Sequence, residues 1–116
     1  GMVRQASVTE ADIALLITVA KAFLPPTVYD LVKALQKDQG YLSTRVKKLE
    51  AMGYLRTVRK NHVKDVLGHI RRHRQHFWTE ITLTYMGWAF VTELSPEIVA
   101  TYNRWCVRQA HTFRVY

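Results

Sequence analysis

Positive side chains are concentrated in one segment of this 116-residue chain, residues 43–76. That segment contains ten Lys and Arg residues and two acidic residues, whereas the rest of the chain contains seven of each and is neutral. The whole formal net charge of +8 therefore lies on less than a third of the sequence. Such a local excess is the electrostatic signature of phosphate binding, and a solvated basic surface without a partner is the alternative.

A helix predicted over residues 39–52 overlaps this basic segment. Its apolar residues recur at positions i, i+4 and i+7 and form one narrow stripe, which would anchor the helix to a scaffold. They are Leu42, Val46 and Leu49. Asp38 is a candidate N-terminal cap, and Gly53 stands where a helix needs a left-handed residue to end.

Polar and cationic side chains occupy the other faces of that helix. They are Tyr41, Ser43, Thr44, Arg45, Lys47 and Lys48. The major groove of B-DNA admits an α-helix and presents donors and acceptors that distinguish the base pairs. A helix that binds there needs small polar or cationic residues opposite its apolar stripe, so Ser43, Thr44 and Lys47 suit bases or nearby phosphates. Arg45 and Lys48 suit phosphates.

Local signals also predict the two helices that come before it. Thr9 can cap a helix over residues 10–24, which is rich in Ile, Leu and Val and is stopped by Pro25. Thr27 can cap a second helix over residues 28–36. The apolar surface of the first helix is wider than a surface helix needs, so this helix is either central to the core or shared with a second subunit.

The periodicity then changes from helical to alternating. A short strand over residues 55–60 and a more regular one over residues 77–84 flank a long basic connection, as in a hairpin with a charged tip. Thr84 can cap a helix over residues 85–94. Proline follows the cap position of a final helix over residues 95–113, where it is favoured at the first helical position.

Composition and motifs exclude several other classes of protein. With 48% hydrophobic and 22% charged residues the chain is an ordinary globular one, and its length fits a single domain over residues 1–116. No apolar run approaches the roughly 20 residues of a membrane span. The single cysteine, Cys106, excludes an internal disulfide and fits a cytoplasmic protein.

Neither catalysis nor cofactor binding is indicated. No paired carboxylates, no nucleophile with its base and no glycine-rich phosphate loop occur, so we expect neither an enzyme nor a cofactor. His69, His73 and His76 are close enough in sequence to consider a metal, but the neighbouring arginines would repel a cation. We therefore predict no metal site.

Two stretches resemble a known family. The sequence TVYDLVKALQKDQGYLSTRVKKLEAMGYL, residues 27–55, resembles the helix-turn-helix of MarR-type transcriptional regulators, with Leu42-Ser43 near the start of the recognition helix. The sequence ITLTYMGWAFV, residues 81–91, is similar to the element in which the second wing strand passes into the next helix. The resemblance implies a mainly α fold with a small β-hairpin, a winged helix-turn-helix with flanking dimerisation helices.

This resemblance divides the chain and assigns its contacts. It implies a helix-turn-helix at about 27–53, a wing at about 54–83 and a C-terminal dimerisation helix at about 95–113. It implies that the residues of the recognition helix that contact DNA are Tyr41, Ser43, Thr44, Lys47 and Lys48. The wing residues expected at the DNA backbone or minor groove are Arg59, Lys60, Arg71, Arg72 and Arg74.

The resemblance further implies a function. A regulator of this type is a homodimer that binds specific double-stranded DNA sequences, here as a repressor. Members of the family bind small phenolic or aromatic ligands between the dimer helices and the DNA-binding part, which implies a small aromatic effector. The main alternative is a winged helix used for protein contact in a transcription or replication assembly. Single-stranded nucleic acid is a third interpretation, with Tyr41 and Trp78 as the candidates for base stacking.

Overall fold

The computed structural model describes residues 7–61 and 77–114. Within these ranges the elements in chain order are α1 (Glu10–Lys21), α2 (Val28–Leu35), α3 (Gln39–Ala51), β1 (Leu55–Asn61), β2 (Phe77–Leu83), α4 (Tyr85–Leu94), a 3-10 turn (Pro96–Ile98) and α5 (Val99–Arg114). The two strands form an antiparallel hairpin. The predicted fold class, mainly α with a small β-hairpin in winged-helix order, is confirmed.

Side-chain caps start the first two helices as the sequence predicts. The Thr9 hydroxyl accepts from the Asp12 amide, and the Asp12 carboxylate accepts from the Thr9 amide. Thr27 and Asp30 repeat this reciprocal arrangement at the start of α2. Each box satisfies amide groups that have no partner inside the helix, which fixes where the helix begins.

The predicted end of α1 is wrong by three residues. The helix stops at Lys21, and Ala22 is extended, with φ −67° and ψ 134°. The chain leaves the helix early because it has to reach β2, where the Ile81 amide donates to the Pro26 carbonyl at 2.8 Å. Phe23, which lies inside the predicted range of this helix, is consequently outside it and 82% exposed.

The helix-turn-helix is built from α2, a short turn and α3. The Asp38 carboxylate accepts from the Gly40 and Tyr41 amides and caps α3. At the other end Gly53 has φ +89°, the left-handed conformation that a glycine adopts without strain. The predicted stripe of Leu42, Val46 and Leu49 is buried, so both the position and the rotation of α3 are fixed by the core.

The hairpin and the last helices close the core. Residue pairs Leu55↔Leu83 and Thr57↔Ile81 place one face of the hairpin against the helices. Gly87, in the first turn of α4, allows the helix backbone to approach the end of α3 closely, because a Cβ there would overlap the carbonyl oxygen of Tyr54. The fully buried core residues come from six elements: Leu15, Leu16, Leu31, Leu42, Leu49, Ile81, Val91 and Ile98.

Candidate nucleic-acid interface

The outward face of α3 is a line of small residues with one lysine. Gly40, Thr44, Lys47 and Ala51 lie at positions i, i+4, i+7 and i+11, and all four are exposed. They stand opposite the buried stripe of the same helix, so the face projects away from the core. The Thr44 hydroxyl donates to the Gly40 carbonyl at 3.0 Å, which holds this side chain close to the helix.

The predicted reading residues beside that line are partly covered. Ser43 is half-buried on one flank, and Tyr41 is 38% exposed on the other. The Tyr41 ring lies 4.5 Å from the guanidinium carbon of Arg45, a cation–π distance. The face of the Tyr41 ring is therefore in contact with Arg45 of the same helix. Stacking of Tyr41 on a base would require this contact to break.

Arg45 and Lys48 contact a carboxylate inside the protein. The Arg45 guanidinium donates to Asp12 Oδ1 at 2.8 Å, and Lys48 Nζ donates to Asp12 Oδ2 at 2.7 Å. The Asp12 side chain is completely buried, whereas those of Arg45 and Lys48 keep 23% and 27% of their surface exposed. We refer to these three residues as the Asp12 cluster.

The start of α1 supplies further partners to the same two cations. Lys48 Nζ also donates to the Ser7 carbonyl at 2.9 Å, and Arg45 donates to the Thr9 hydroxyl at 3.2 Å. Burial by itself would raise the pKa of Asp12, but hydrogen bonds from Lys48, the Thr9 amide and Arg45 outweigh it and lower the pKa to about 2. Asp12 is therefore ionised throughout the physiological range.

From the sequence alone, Asp12 is a first-turn acid of the kind that helps to cap a helix. The structure shows this capping bond, because the Thr9 amide donates to the Asp12 carboxylate. The same carboxylate also accepts from Arg45 and Lys48 of α3. The partners in α3 are 33 and 36 positions away, and no local pattern connects them. The available signal was an acid in the first turn of an apolar helix, and capping of that helix already explained its presence.

The two predicted wing cations within the described part of the chain lie on opposite faces of the hairpin. Arg59 shares a face with Thr57, whose amide and hydroxyl both donate to Glu50 of α3, so Arg59 is on the α3 side. Its guanidinium carbon lies 4.6 Å from the centroid of the Phe77 ring. Lys60 pairs with Trp78 on the other face. The remaining predicted wing contacts lie outside the described residues: Arg71, Arg72 and Arg74.

The sequence predicts neither a metal site nor a membrane-spanning helix, and the described residues cover part of each prediction. Across residues 7–61 and 77–114, no three His, Cys, Asp or Glu side chains are grouped in a way that could bind a metal ion. The histidines considered for such a site, His69, His73 and His76, fall outside those ranges. Within the same ranges none of the helices has both the length and the apolar character required to cross a bilayer.

A cavity of about 210 Å³ lies between α1, β2, α4 and α5. Its walls include Trp88, Trp105 and Thr82. Trp88 is 4% exposed, and its indole Nε1 has no hydrogen-bond partner among the residues that the structure describes. A buried indole donor without an acceptor is uncommon, because leaving it unpaired costs about 1–3 kcal/mol.

The winged helix matches three solved regulators in its fold. The adhesin competence repressor AdcR from Streptococcus pyogenes aligns with a TM-score of 0.57 and 20% identity over 97% of this chain and 79% of that one. FabT from Streptococcus pneumoniae, solved in complex with DNA, gives 0.59 and 17% over 95% and 74%. MarR from E. coli, in its apo form, gives 0.51 and 16% over 94% and 78%.

Neither a family model nor a curated protein matches the sequence. At identities of 16–20% the three alignments establish the fold and leave the function to be argued from the site. The chain has a MarR-like winged helix-turn-helix fold, as its sequence predicts.

Proposed function

We propose that this protein is a homodimeric transcriptional regulator, a repressor, that binds specific double-stranded DNA sequences. The recognition helix α3 enters the major groove, and the basic wing contacts the backbone or the minor groove. The observation that carries the proposal is the outward line of Gly40, Thr44, Lys47 and Ala51 on a helix anchored by a buried stripe. FabT, one of the proteins with this fold, was solved in complex with DNA, which supports the same partner.

The shape and charge of that line suit a groove. Small side chains allow the helix backbone to approach the base edges closely, and a single exposed lysine adds a phosphate or base contact. Lys47 is the exposed cation of the set, with Thr44 beside it and Ser43 on the flank. Arg45 and Lys48 could contact DNA phosphates, as predicted, only in addition to their bonds to Asp12 or after those bonds break.

The wing adds a second contact region. Arg59 projects on the α3 side of the hairpin and is held over Phe77, which orders its side chain before binding. Lys60 projects from the other face, and Arg71, Arg72 and Arg74 complete the proposed set. A basic wing of this kind binds backbone phosphates or a narrow minor groove without requiring a particular base sequence.

Dimerisation through α1 and α5 is supported by an exposed apolar surface. Phe23 and Leu24, just beyond α1, are 82% and 67% exposed, and Val107 of α5 is 68% exposed. Arg108 links the two elements by donating to the Phe23 carbonyl at 2.9 Å. Apolar side chains grouped in this way are the usual mark of a protein interface. Two-fold symmetry would place the recognition helices about 34 Å apart and select a pseudo-palindromic site.

Duplex binding is tested with Lys47→Ala. Loss of one phosphate contact should reduce the slope of log affinity against log salt concentration by about 1 per bound protomer. Lys21→Ala, which removes an exposed lysine at the end of α1, is the matched control and should keep the wild-type slope. Sites are first selected from random duplexes, and sizing gives the oligomeric state. A wild-type protein that is not retained on duplex DNA at about 0.2 M salt would favour the protein-contact alternative.

A small aromatic effector is proposed for the cavity beside Trp88. A dry cavity of about 150 Å³ holds benzene, so about 210 Å³ accommodates one substituted ring. Trp88 forms part of the cavity wall, so its ring would pack against the ring of the ligand. A panel of substituted phenols should raise the melting temperature of the wild type more than that of Trp88→Phe. Equal shifts in both proteins would show that the indole takes no part.

A further inference from the structure

The Asp12 cluster divides the cations of α3 into two groups. With Leu42 at 0° and about 100° per residue, Lys48 and Arg45 lie at about 240° and 300°, on the flank covered by the start of α1. Lys47 lies at about 140°, within the outward line and away from that flank. The bonds of 2.7 and 2.8 Å to a fully buried carboxylate hold the first two cations toward α1. Of the three, only Lys47 is exposed.

This arrangement has a direct effect on which charges a phosphate can meet. Cations that are free to swing toward phosphates attract every duplex equally, because phosphates carry no sequence information. Two cations bonded to a buried anion contribute less to that attraction, because the anion cancels one of their two charges and the bonds hold both side chains against α1. The residues left to decide affinity are then those of the outward line, which face base edges as well as phosphates.

We propose that Asp12 is a positioning residue for sequence-specific DNA binding: it holds Arg45 and Lys48 against α1, away from the duplex, and so limits phosphate attraction that does not depend on sequence. This inference rests on the proposed function. It assigns to α1, outside the helix-turn-helix, a part in setting specificity. It also replaces the sequence-based assignment of Arg45 and Lys48 to phosphates with a role as partners of the buried Asp12 carboxylate.

The first variant is Asp12→Asn. Asparagine keeps an oxygen that accepts from the Thr9 amide, so the α1 cap is preserved while the charge that holds the two cations is lost. The released cations should steepen the salt slope on a scrambled duplex by up to about 2 per bound protomer. Between 50 and 200 mM salt this corresponds to an additional affinity loss of about tenfold, and the ratio of selected-site to scrambled-site affinity should fall.

A matched control separates this effect from a general gain in positive charge. Glu10→Gln changes the net charge by the same amount in the same helical turn, at an exposed position. We expect its salt slope and its ratio of affinities to equal those of the wild type. If Asp12→Asn also equals the wild type in both measurements, the inference is wrong and Asp12 is only structural.

A second variant keeps the inference testable if Asp12→Asn does not fold. The triple substitution Asp12→Asn, Arg45→Gln and Lys48→Gln leaves no unpaired buried charge. Because the inference removes Arg45 and Lys48 from the DNA contacts, the triple variant should retain the wild-type salt slope. A slope reduced by about 2 would show that both cations contact phosphates in the wild type, and the inference would be overturned.

The wild-type protein distinguishes failure of this inference from failure of the proposed function. A wild type that selects no site from random duplexes contradicts the proposed function, and the inference falls with it. A wild type that selects a site, together with a triple variant of reduced slope, contradicts only the inference and leaves the regulator in place.

Discussion

Acid should unfold this protein partly through one carboxylate, Asp12. Its pKa in the folded protein is about 2, against 3.8 for the unperturbed group, because Lys48, the Thr9 amide and Arg45 together outweigh the effect of burial. A group whose folded pKa is lowered stabilises the native state above its unfolded pKa. That stabilisation is lost as the pH falls from about 4 through 2, where the unfolded chain takes up the proton first.

The size of the effect follows from the same two values. A fall in pKa from 3.8 to about 2 corresponds to about 2 kcal/mol of folding free energy that is present at neutral pH and absent in strong acid. Asp12→Asn cannot take up this proton, so its stability should vary less with pH than that of the wild type. The difference in free energy of unfolding between the two proteins should shrink by about 2 kcal/mol between pH 5 and pH 2.

Urea unfolding followed by circular dichroism at several pH values between 2 and 6 measures this difference. All other carboxylates are shared by the two proteins, so subtracting one curve from the other isolates Asp12. Glu10→Gln removes an exposed carboxylate from the same turn and serves as the control. Parallel curves for wild type and Asp12→Asn would refute the reasoning, because they would mean that the buried pairing does not distinguish the folded carboxylate from the unfolded one.

Two further predictions concern packing. Gly87→Ala should destabilise the fold by about 3 kcal/mol or prevent folding, because the new methyl group meets the rigid Tyr54 carbonyl, and thermal unfolding would measure the loss. A wild-type melting temperature would show that α4 can move away from that carbonyl. Leu49→Ala, at a fully buried position in the stripe of α3, should cost about 2–5 kcal/mol in urea unfolding and should weaken duplex binding only through the unfolded fraction. Reduced affinity of the folded fraction would instead mean that α3 had rotated.

Local signals were sufficient for most of the fold. The caps at Thr9, Thr27, Asp38 and Thr84 and the glycine at Gly53 act within a few residues of the helix ends that they define, so sequence patterns identify them. The hairpin was equally accessible, because alternation over two short stretches specifies strands that can pair only with each other. The order of these elements then favoured a winged helix.

The site was less accessible, because it depends on contacts between distant residues. The polar side of α3 could be derived from its periodicity, and Lys47 and Thr44 are exposed as that derivation requires. Periodicity could not reveal that Arg45 and Lys48 turn toward a buried carboxylate in α1, since that depends on how two helices pack. The early end of α1 could not be predicted for the same reason. It depends on the hydrogen bond between the Pro26 carbonyl, after the helix, and the Ile81 amide of β2.

The junction behind the recognition helix has a mechanical consequence. The Thr84 hydroxyl donates to the Gly53 carbonyl at 2.6 Å, and the Thr84 amide donates to the Tyr54 carbonyl at 3.1 Å. With the backbone of Gly87 packed on the same carbonyl, the end of α3, the root of the wing and the start of α4 are joined at one point without room to slide. Bending of the wing relative to α3 is therefore stiff at its base, and a change in the tilt of α4 is transmitted to α3 and to the wing strands together.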